Sequence, residues 1–217
     1  MKLVILYGHY RSFDKTVLSW ISSLEGCDYE FRFITFNTID HCTKCWWHDN
    51  TKESPELTSS QLELLKKYDP NTKIIRQEFT KDELDDIYAS LPLKVYIYKF
   101  NNIQEVLSSI DDKKYDMIIL SRFDILIHTI KFKDISVEKS DIKIGARISN
   151  HFKGFAASDL LCVFHPADKS KFYNMPKDIV TRRLKFPEEC YNEFYYDNFT
   201  NVRHVWHYDK DFVILRL

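Results

Sequence analysis

Arg122 and Asp124 are the residues whose types and spacing are best suited to chemistry. They lie in the segment YDMIILSRFDILI, residues 115–127, in which two charged residues separate one apolar run from another. Burying an unpaired charge is costly, so the two residues must either pair with each other or face something other than hydrocarbon. Residues two apart in an extended chain point to the same face. The pattern therefore predicts that Arg122 and Asp124 lie side by side, while Phe123 points into the core.

Residue spacing alone allows two interpretations of this Arg-x-Asp motif. The motif follows the strand DMIIL, and ligands of open α/β sheets bind at the carboxyl ends of strands. A carboxylate there can bind a divalent cation, and an arginine can hold phosphate oxygens with its planar fork. This combination suits a diphosphate bridged by Mg²⁺ or Mn²⁺. The alternative is an internal ion pair between Arg122 and Asp124 that stabilises the end of a strand.

The first 36 residues predict a strand, a helix and a second strand. KLVILY (2–7) is a continuous apolar run, SFDKTVLSWISSLEG (12–26) has apolar residues at helical spacing, and YEFRFITF (29–36) is rich in aromatic residues. Such a βαβ opening favours a parallel sheet. Ser12 is expected to cap the helix, and Gly8 allows the backbone to approach a ligand closely.

The rest of the chain continues the alternation of helices and strands. An apolar stripe over residues 96–110 predicts a helix that runs into the Arg-x-Asp motif. Helices are also expected over 59–70, from Pro166 to about Met175, and from Pro187. The remaining strands are expected at 72–79, 141–147, 159–165, 201–208 and 212–217. We see no repeat or domain boundary, so residues 1–217 are predicted to form a single α/β domain with a mostly parallel central sheet flanked by helices.

Composition and charge exclude several classes of function. The net charge of −1 gives no overall attraction to nucleic acid. Only 4 glycines occur, and neither GxGxxG nor GxxxxGK[ST] is present, so a dinucleotide-binding Rossmann unit or a P-loop has no support. The apolar run at the amino terminus is too short for a signal peptide or a membrane span. The 5 cysteines, an odd number at uneven spacings, fit reduced thiols, and we expect a soluble, cytoplasmic protein.

The segment HCTKCWWHDN, residues 41–50, carries the main competing motif. It offers four possible zinc ligands, His41, Cys42, Cys45 and His48. Structural zinc sites usually draw on two separated ligand pairs, so ordinary loop residues are the favoured interpretation. The alternative function that this motif supports is a non-catalytic partner-binding domain with a structural zinc.

Four segments, in order, resemble the GT-A-fold glycosyltransferases. They are ILYGHYRSFDKTVLSW, YDMIILSRFDILI, SDLLCVFHPADKSKFYNM, and PEECYNEFYYDNF with the closing FVILR. The resemblance is to small virus- and bacteria-type members that carry Arg-x-Asp where others carry Asp-x-Asp. It implies a GT-A-like, Rossmann-like domain.

The resemblance implies roles for the residues that match it. Tyr7, Gly8 and Arg11 fall in the turn that wraps the nucleotide of the sugar donor. Asp124 takes the place of the metal-binding carboxylate. Arg122 replaces the first aspartate of the commoner motif, and its positive charge can do part of the metal's work on the diphosphate.

Two later positions follow from the same resemblance. Asp159 matches an acidic position near the transferred sugar or the acceptor, and His204 or, by preference, His207 would supply a further metal ligand. The implied activity is metal-assisted transfer of a sugar from a nucleotide-diphosphate sugar, expected to be a UDP-sugar, to a hydroxyl of a glycan or glycoprotein acceptor. Mn²⁺ or Mg²⁺ is the expected cofactor, and neither nucleic acid nor a membrane span is expected.

Overall fold

A computed structural model of the chain describes residues 1–39, 55–75, 101–149, 154–173 and 187–215. Its centre is a seven-stranded sheet. The strands are β1 (Lys2–Gly8), β2 (Tyr29–Phe36), β3 (Lys73–Ile75), β4 (Met117–Arg122), β6 (Asp141–Ser149), β7 (Gly154–Phe164) and β8 (Asn201–His207). Their order in the sheet is β3-β2-β1-β4-β7-β6-β8. Every strand runs in the same direction except β7, which is antiparallel to both of its neighbours. The predicted α/β class with a mostly parallel central sheet is confirmed.

Helices cover both faces of this sheet. Strand β1 shows why: its residues are buried on both sides, with Val4 and Leu6 in one apolar cluster and Leu3 and Ile5 in the other. The helices are α1 (Phe13–Ser23), α2 (Ser59–Tyr68), α3 (101–109) and α4 (Pro187–Asn198), with 3₁₀ segments at Asp112–Lys114, Phe132–Asp134 and Pro166–Tyr173. The first cluster packs under α1 and α2, and the second under α3 and α4. None of the described helices is long and apolar enough to cross a bilayer.

The strand order creates a switch point between β1 and β4. From β1 the chain passes through α1 to β2 on one side, whereas β4 pairs with the other side of β1. Connections that leave two neighbouring parallel strands in opposite directions open a crevice at their carboxyl ends, where open α/β sheets bind ligands. Because Tyr7 and Arg122 are register partners, the Arg-x-Asp motif lies beside the loop after β1.

The structure corrects the sequence analysis at residues 115–127. The chain was expected to stay extended, but it turns at Phe123 and Asp124. Residues Ile125–Ile127 form β5, which pairs with β9 (Phe212–Ile214) in a separate two-stranded sheet. Tertiary hydrogen bonds fix this turn, since the Thr16 hydroxyl donates to the Phe123 carbonyl at 2.6 Å. Phe123 is nevertheless buried, as its position in the motif predicted.

Two helix predictions also need correction. Ser12 lies at the N-cap of α1 but makes no side-chain capping bond; its hydroxyl donates to the Leu215 carbonyl instead. The helix expected from Pro166 is a 3₁₀ segment, the tighter form common in short connections. The bounds of α2 are close to the expected 59–70, and Thr58 and Gln61 form a reciprocal capping box at its start that the sequence analysis did not predict.

Candidate functional site

Two arginines converge on one carboxylate at the carboxyl ends of β1 and β4. Arg11 Nη1 donates to Asp124 Oδ2 at 2.6 Å. Arg122 donates from Nε to Oδ1 at 2.9 Å and from Nη2 to Oδ2 at 2.5 Å, the paired geometry of a guanidinium fork. We call Arg11, Asp124 and Arg122 the arginine–aspartate cluster. The predicted adjacency of Arg122 and Asp124 is thus observed, and Arg11 joins them from the loop after β1.

A strained loop after β1 places Arg11. Gly8 has φ +104°, and Arg11 has φ +43°, in the left-handed region that non-glycine residues rarely adopt. The Arg11 backbone N–H is held by the Ile39 carbonyl at 2.9 Å. A Cβ built on Gly8 meets no described atom within 4 Å, so conformation rather than space requires glycine there. Strained residues of this kind persist at sites where the surrounding structure holds them in place.

The Asp124 carboxylate is buried and ionised. Its side chain is 1% exposed. Burial acts to raise its pKa, but the charges of Arg122 and Arg11 and their hydrogen bonds outweigh this and hold the pKa of Asp124 below its usual range. The carboxylate therefore keeps its charge in the folded state and fixes the directions of both guanidiniums.

The carboxyl-terminal segment after β9 ties the two halves of the site together. Leu215 donates its backbone N–H to the Asp124 carbonyl at 2.7 Å and accepts from the Ser12 hydroxyl at 2.5 Å. Two further bonds from α1 reach β5, the strand after this turn, since Trp20 Nε1 donates to the Ile125 carbonyl at 3.0 Å and Ser19 Oγ accepts from the Ile127 N–H at 3.0 Å. The Arg11 loop and the Asp124 turn are thus held as one unit.

The cluster carries a net positive charge. Two guanidiniums and one carboxylate sum to +1, and the arginine side chains keep 11% and 16% of their surface exposed, whereas the carboxylate keeps almost none. Guanidinium is always charged at physiological pH and matches the planar geometry of phosphate oxygens. The three side chains of the cluster therefore include guanidinium groups suited to an anion with several oxygens.

The donor set of this cluster does not fit a divalent metal ion on Asp124. Both carboxylate oxygens accept hydrogen bonds from guanidinium groups, and a cation placed there would face two positive charges. Within the described ranges, no group of three or more His, Cys, Asp or Glu side chains is arranged to hold a metal. Mn²⁺ or Mg²⁺ at Asp124 remains a prediction of the sequence, and no chemical step is derived from it below.

Asp159 lies on the strand next to the cluster. Strand β7 runs antiparallel to β4, Ser121 pairs with Leu161, and the Ser121 hydroxyl donates to the Leu160 carbonyl at 2.6 Å. Because the two strands are antiparallel, Asp159, which precedes Leu160, lies one residue further than Leu160 toward the carboxyl end of β4. Its side chain lies outside the described part of the structure, so its catalytic role remains a prediction.

Tyr7 and His207 occupy different surroundings. Tyr7 is buried in the apolar cluster under α3 and α4, and its backbone is the register partner of Arg122. His207 ends β8, which β7 and β6 separate from β4; three strand spacings correspond to roughly 14 Å. His204, on the same strand, has a Tyr196 hydroxyl 3.3 Å from Nε2. The nucleotide role of Tyr7 and the metal role of His207 remain predictions.

The possible zinc ligands His41, Cys42, Cys45 and His48 lie outside the described residues, so the zinc interpretation remains an alternative. Among the described residues, sequence reasoning missed Ser12 and Leu215 as parts of the site. It also missed that Arg11 binds Asp124. The signal for Arg11 was present, because an arginine three residues after a strand-ending glycine falls at the carboxyl edge of the sheet. A backbone contact such as that of Leu215 has no signal in residue type.

Comparison with known proteins gives structural neighbours only. No family model matches the sequence, and no curated protein does. Two crystal structures of the glycosyltransferase GlyE from Streptococcus pneumoniae TIGR4, one in the apo form, are similar in fold. The TM-score is 0.47 for each, with 6% and 7% sequence identity over 93% and 94% of this chain. The chain spans less than half of those structures, 45% and 46% of their length, and at this degree of similarity the likeness assigns neither family nor activity.

Proposed function

We propose that the chain is a glycosyltransferase that transfers a sugar from a nucleotide-diphosphate donor, a UDP-sugar, to a hydroxyl group of a glycan or glycoprotein acceptor. The observation that carries the proposal is the arginine–aspartate cluster at the switch point between β1 and β4. Two oriented guanidiniums at the position where α/β sheets bind ligands suit a diphosphate. The resemblance of the four sequence segments to GT-A-fold enzymes supports the same function.

In the proposed reaction, the acceptor hydroxyl oxygen forms a bond to the anomeric carbon of the donor sugar. The bond from that carbon to the oxygen of the terminal phosphate breaks, and its electron pair leaves with the nucleoside diphosphate. Arg11 and Arg122 stabilise this departing negative charge, because their directions are already fixed by Asp124 before the substrate arrives. We assign the acceptor proton to Asp159, whose backbone lies beside the end of β4.

The roles of the loop residues follow from the same placement. Gly8 and Arg11 would wrap the nucleotide end of the donor, with Tyr7 as the last buried residue before the loop. The loop geometry supports this assignment, since the positive φ angles at Gly8 and Arg11 turn the chain across the end of the sheet. The diphosphate of a nucleotide bound there would contact both the loop and the arginine–aspartate cluster.

A ligand series tests the proposal. Thermal denaturation is measured with uridine, UMP and UDP, and release of UDP is then measured with a panel of UDP-sugars in the presence of glycan acceptors. We expect stabilisation to increase in the order uridine, UMP, UDP, because the diphosphate makes the contacts with the arginines. Equal shifts in melting temperature with all three ligands, or no shift with any of them, would argue against a diphosphate site. Binding of UDP without sugar transfer from any donor would argue against glycosyltransferase activity.

A further inference from the structure

We infer that Arg11 and Arg122 take the place of a metal ion in this site, so that a nucleoside diphosphate binds without Mn²⁺ or Mg²⁺. The inference rests on the proposed function, because it concerns how that same site holds the diphosphate. It departs from the metal-assisted activity that the sequence suggested, and the reason lies in the donor set around Asp124.

The first step concerns what Asp124 does. A carboxylate that binds a metal must offer an oxygen lone pair to it, whereas both oxygens of Asp124 accept hydrogen bonds from Arg11 or Arg122. The Asp124 side chain is also 1% exposed. The carboxylate therefore acts as an anchor that orients two cationic side chains, and the ligand-facing charge belongs to the arginines.

The second step concerns where the positive charge comes from. The two guanidiniums enter from different strands, one from the loop after β1 and the other from the last residue of β4. A diphosphate has two phosphate groups, and two adjacent guanidiniums that share one carboxylate can donate to oxygens of both phosphates. The cluster, whose three side chains sum to +1, would in this way take over part of the role that a divalent ion would otherwise have at the diphosphate.

The third step concerns preorganisation. The Arg11 loop is held by the Ile39 carbonyl and the Asp124 turn by Leu215 and Thr16, so the backbone of both segments is fixed, and Asp124 orients the two guanidiniums. Ser12 links the two through Leu215. A cationic site whose parts are already in place loses little freedom when the anion binds, and it does not depend on recruiting an ion from solution.

Calorimetric titration of the wild-type protein with UDP, once with EDTA and once with added Mn²⁺, tests the inference. We expect the two affinities to agree to within about threefold, a difference of about 0.7 kcal/mol. The same titration with EDTA is repeated on Arg11→Lys and Arg122→Lys, for each of which we expect binding weaker by about tenfold or more, because lysine keeps the charge and loses the planar fork. Arg32→Lys is the matched control, since Arg32 also pairs with two carboxylates, Glu30 and Asp69, but lies within β2.

Each outcome decides the question. Binding only with Mn²⁺ overturns the inference and leaves the proposed glycosyltransferase standing. The inference is also overturned if UDP binds equally with and without Mn²⁺ but both lysine variants bind it as tightly as the wild type, because the arginines would then not hold the diphosphate. Absence of UDP binding under either condition overturns the proposed function and the inference together. If a lysine variant fails to fold, the wild-type comparison still decides the metal dependence.

Discussion

Replacing Asp124 by asparagine removes the single negative charge that two buried guanidinium contacts share. Asparagine has nearly the same shape, so the substitution opens no cavity, and the change isolates the charge. Its amide NH₂ group would point hydrogens at one of the arginines in place of an acceptor oxygen. Arg11 and Arg122 would then lie close together without the carboxylate that holds them, and we expect the folded protein to lose stability.

The size of the loss follows from burial. Removing one partner of a buried ion pair costs about 3–5 kcal/mol. The arginines retain 11% and 16% exposure and can turn partly toward water, so the lower end of that range, about 3 kcal/mol, is the expected cost. For a domain of this size each kcal/mol lowers the melting temperature by roughly 2–4 °C, which gives a decrease of roughly 6–12 °C.

The matched control is Asp116→Asn. Asp116 also has two cationic partners, the amino group of Met1 and the Lys2 side chain, but its side chain is 57% exposed. Exposed pairs contribute about 0–1 kcal/mol, so this variant should melt within roughly 4 °C of the wild type. Urea denaturation at pH 7 gives the free energy of unfolding for both variants, and circular dichroism shows whether the folded state is retained.

The same contact predicts a dependence on pH. The pKa of Asp124 is lowered in the folded state, so its contribution to stability is fully present above the unfolded pKa, about 3.9, and is lost as the pH falls through the folded pKa. The stability difference between wild type and Asp124→Asn should therefore be constant near pH 7 and should shrink below about pH 4. An Asp124→Asn protein as stable as Asp116→Asn at pH 7 would refute the account of a buried, charge-sharing carboxylate.

Three further predictions test other parts of the site. Arg122→Lys should leave the melting temperature near that of the wild type and lower turnover about tenfold or more, equivalent to about 1.4 kcal/mol in the barrier; lower melting with normal turnover would make Arg122 structural. Gly8→Ala should lower the free energy of unfolding by about 1 kcal/mol or more in urea titrations, because φ is +104° at this position, and an unchanged value would contradict the conformational requirement. The double substitution Cys42→Ser with Cys45→Ser should change the melting temperature little, whereas collapse of the variant together with release of zinc from the unfolded parent would favour the zinc-stabilised alternative.

The sequence predicted the elements around the site more successfully than their connections. The runs at 2–7 and 29–36 became β1 and β2 with nearly the expected bounds, because a buried parallel strand needs a continuous apolar segment. The pairing of β1 with β4 places the Arg-x-Asp motif at the carboxyl edge, as the position of the motif after an apolar strand suggested.

The turn at Asp124 could not be predicted in the same way. Residues 115–127 have the composition of one long strand, and the bonds that break it come from Thr16 and Leu215, more than 90 residues away in each direction along the chain. Arg11 likewise reaches Asp124 because of a left-handed backbone angle that arginine itself does not favour. Tertiary contacts of this kind override local preference, and no local pattern encodes them.

A crystal structure of the wild-type protein soaked with UDP and EDTA tests the central claim most directly. The account predicts density for the diphosphate between the ends of β1 and β4, with phosphate oxygens within hydrogen-bond distance of both Arg11 and Arg122, and with Asp124 still bound to the two guanidiniums. A diphosphate found elsewhere on the chain, or one that lies at this site without contact to either arginine, would contradict it.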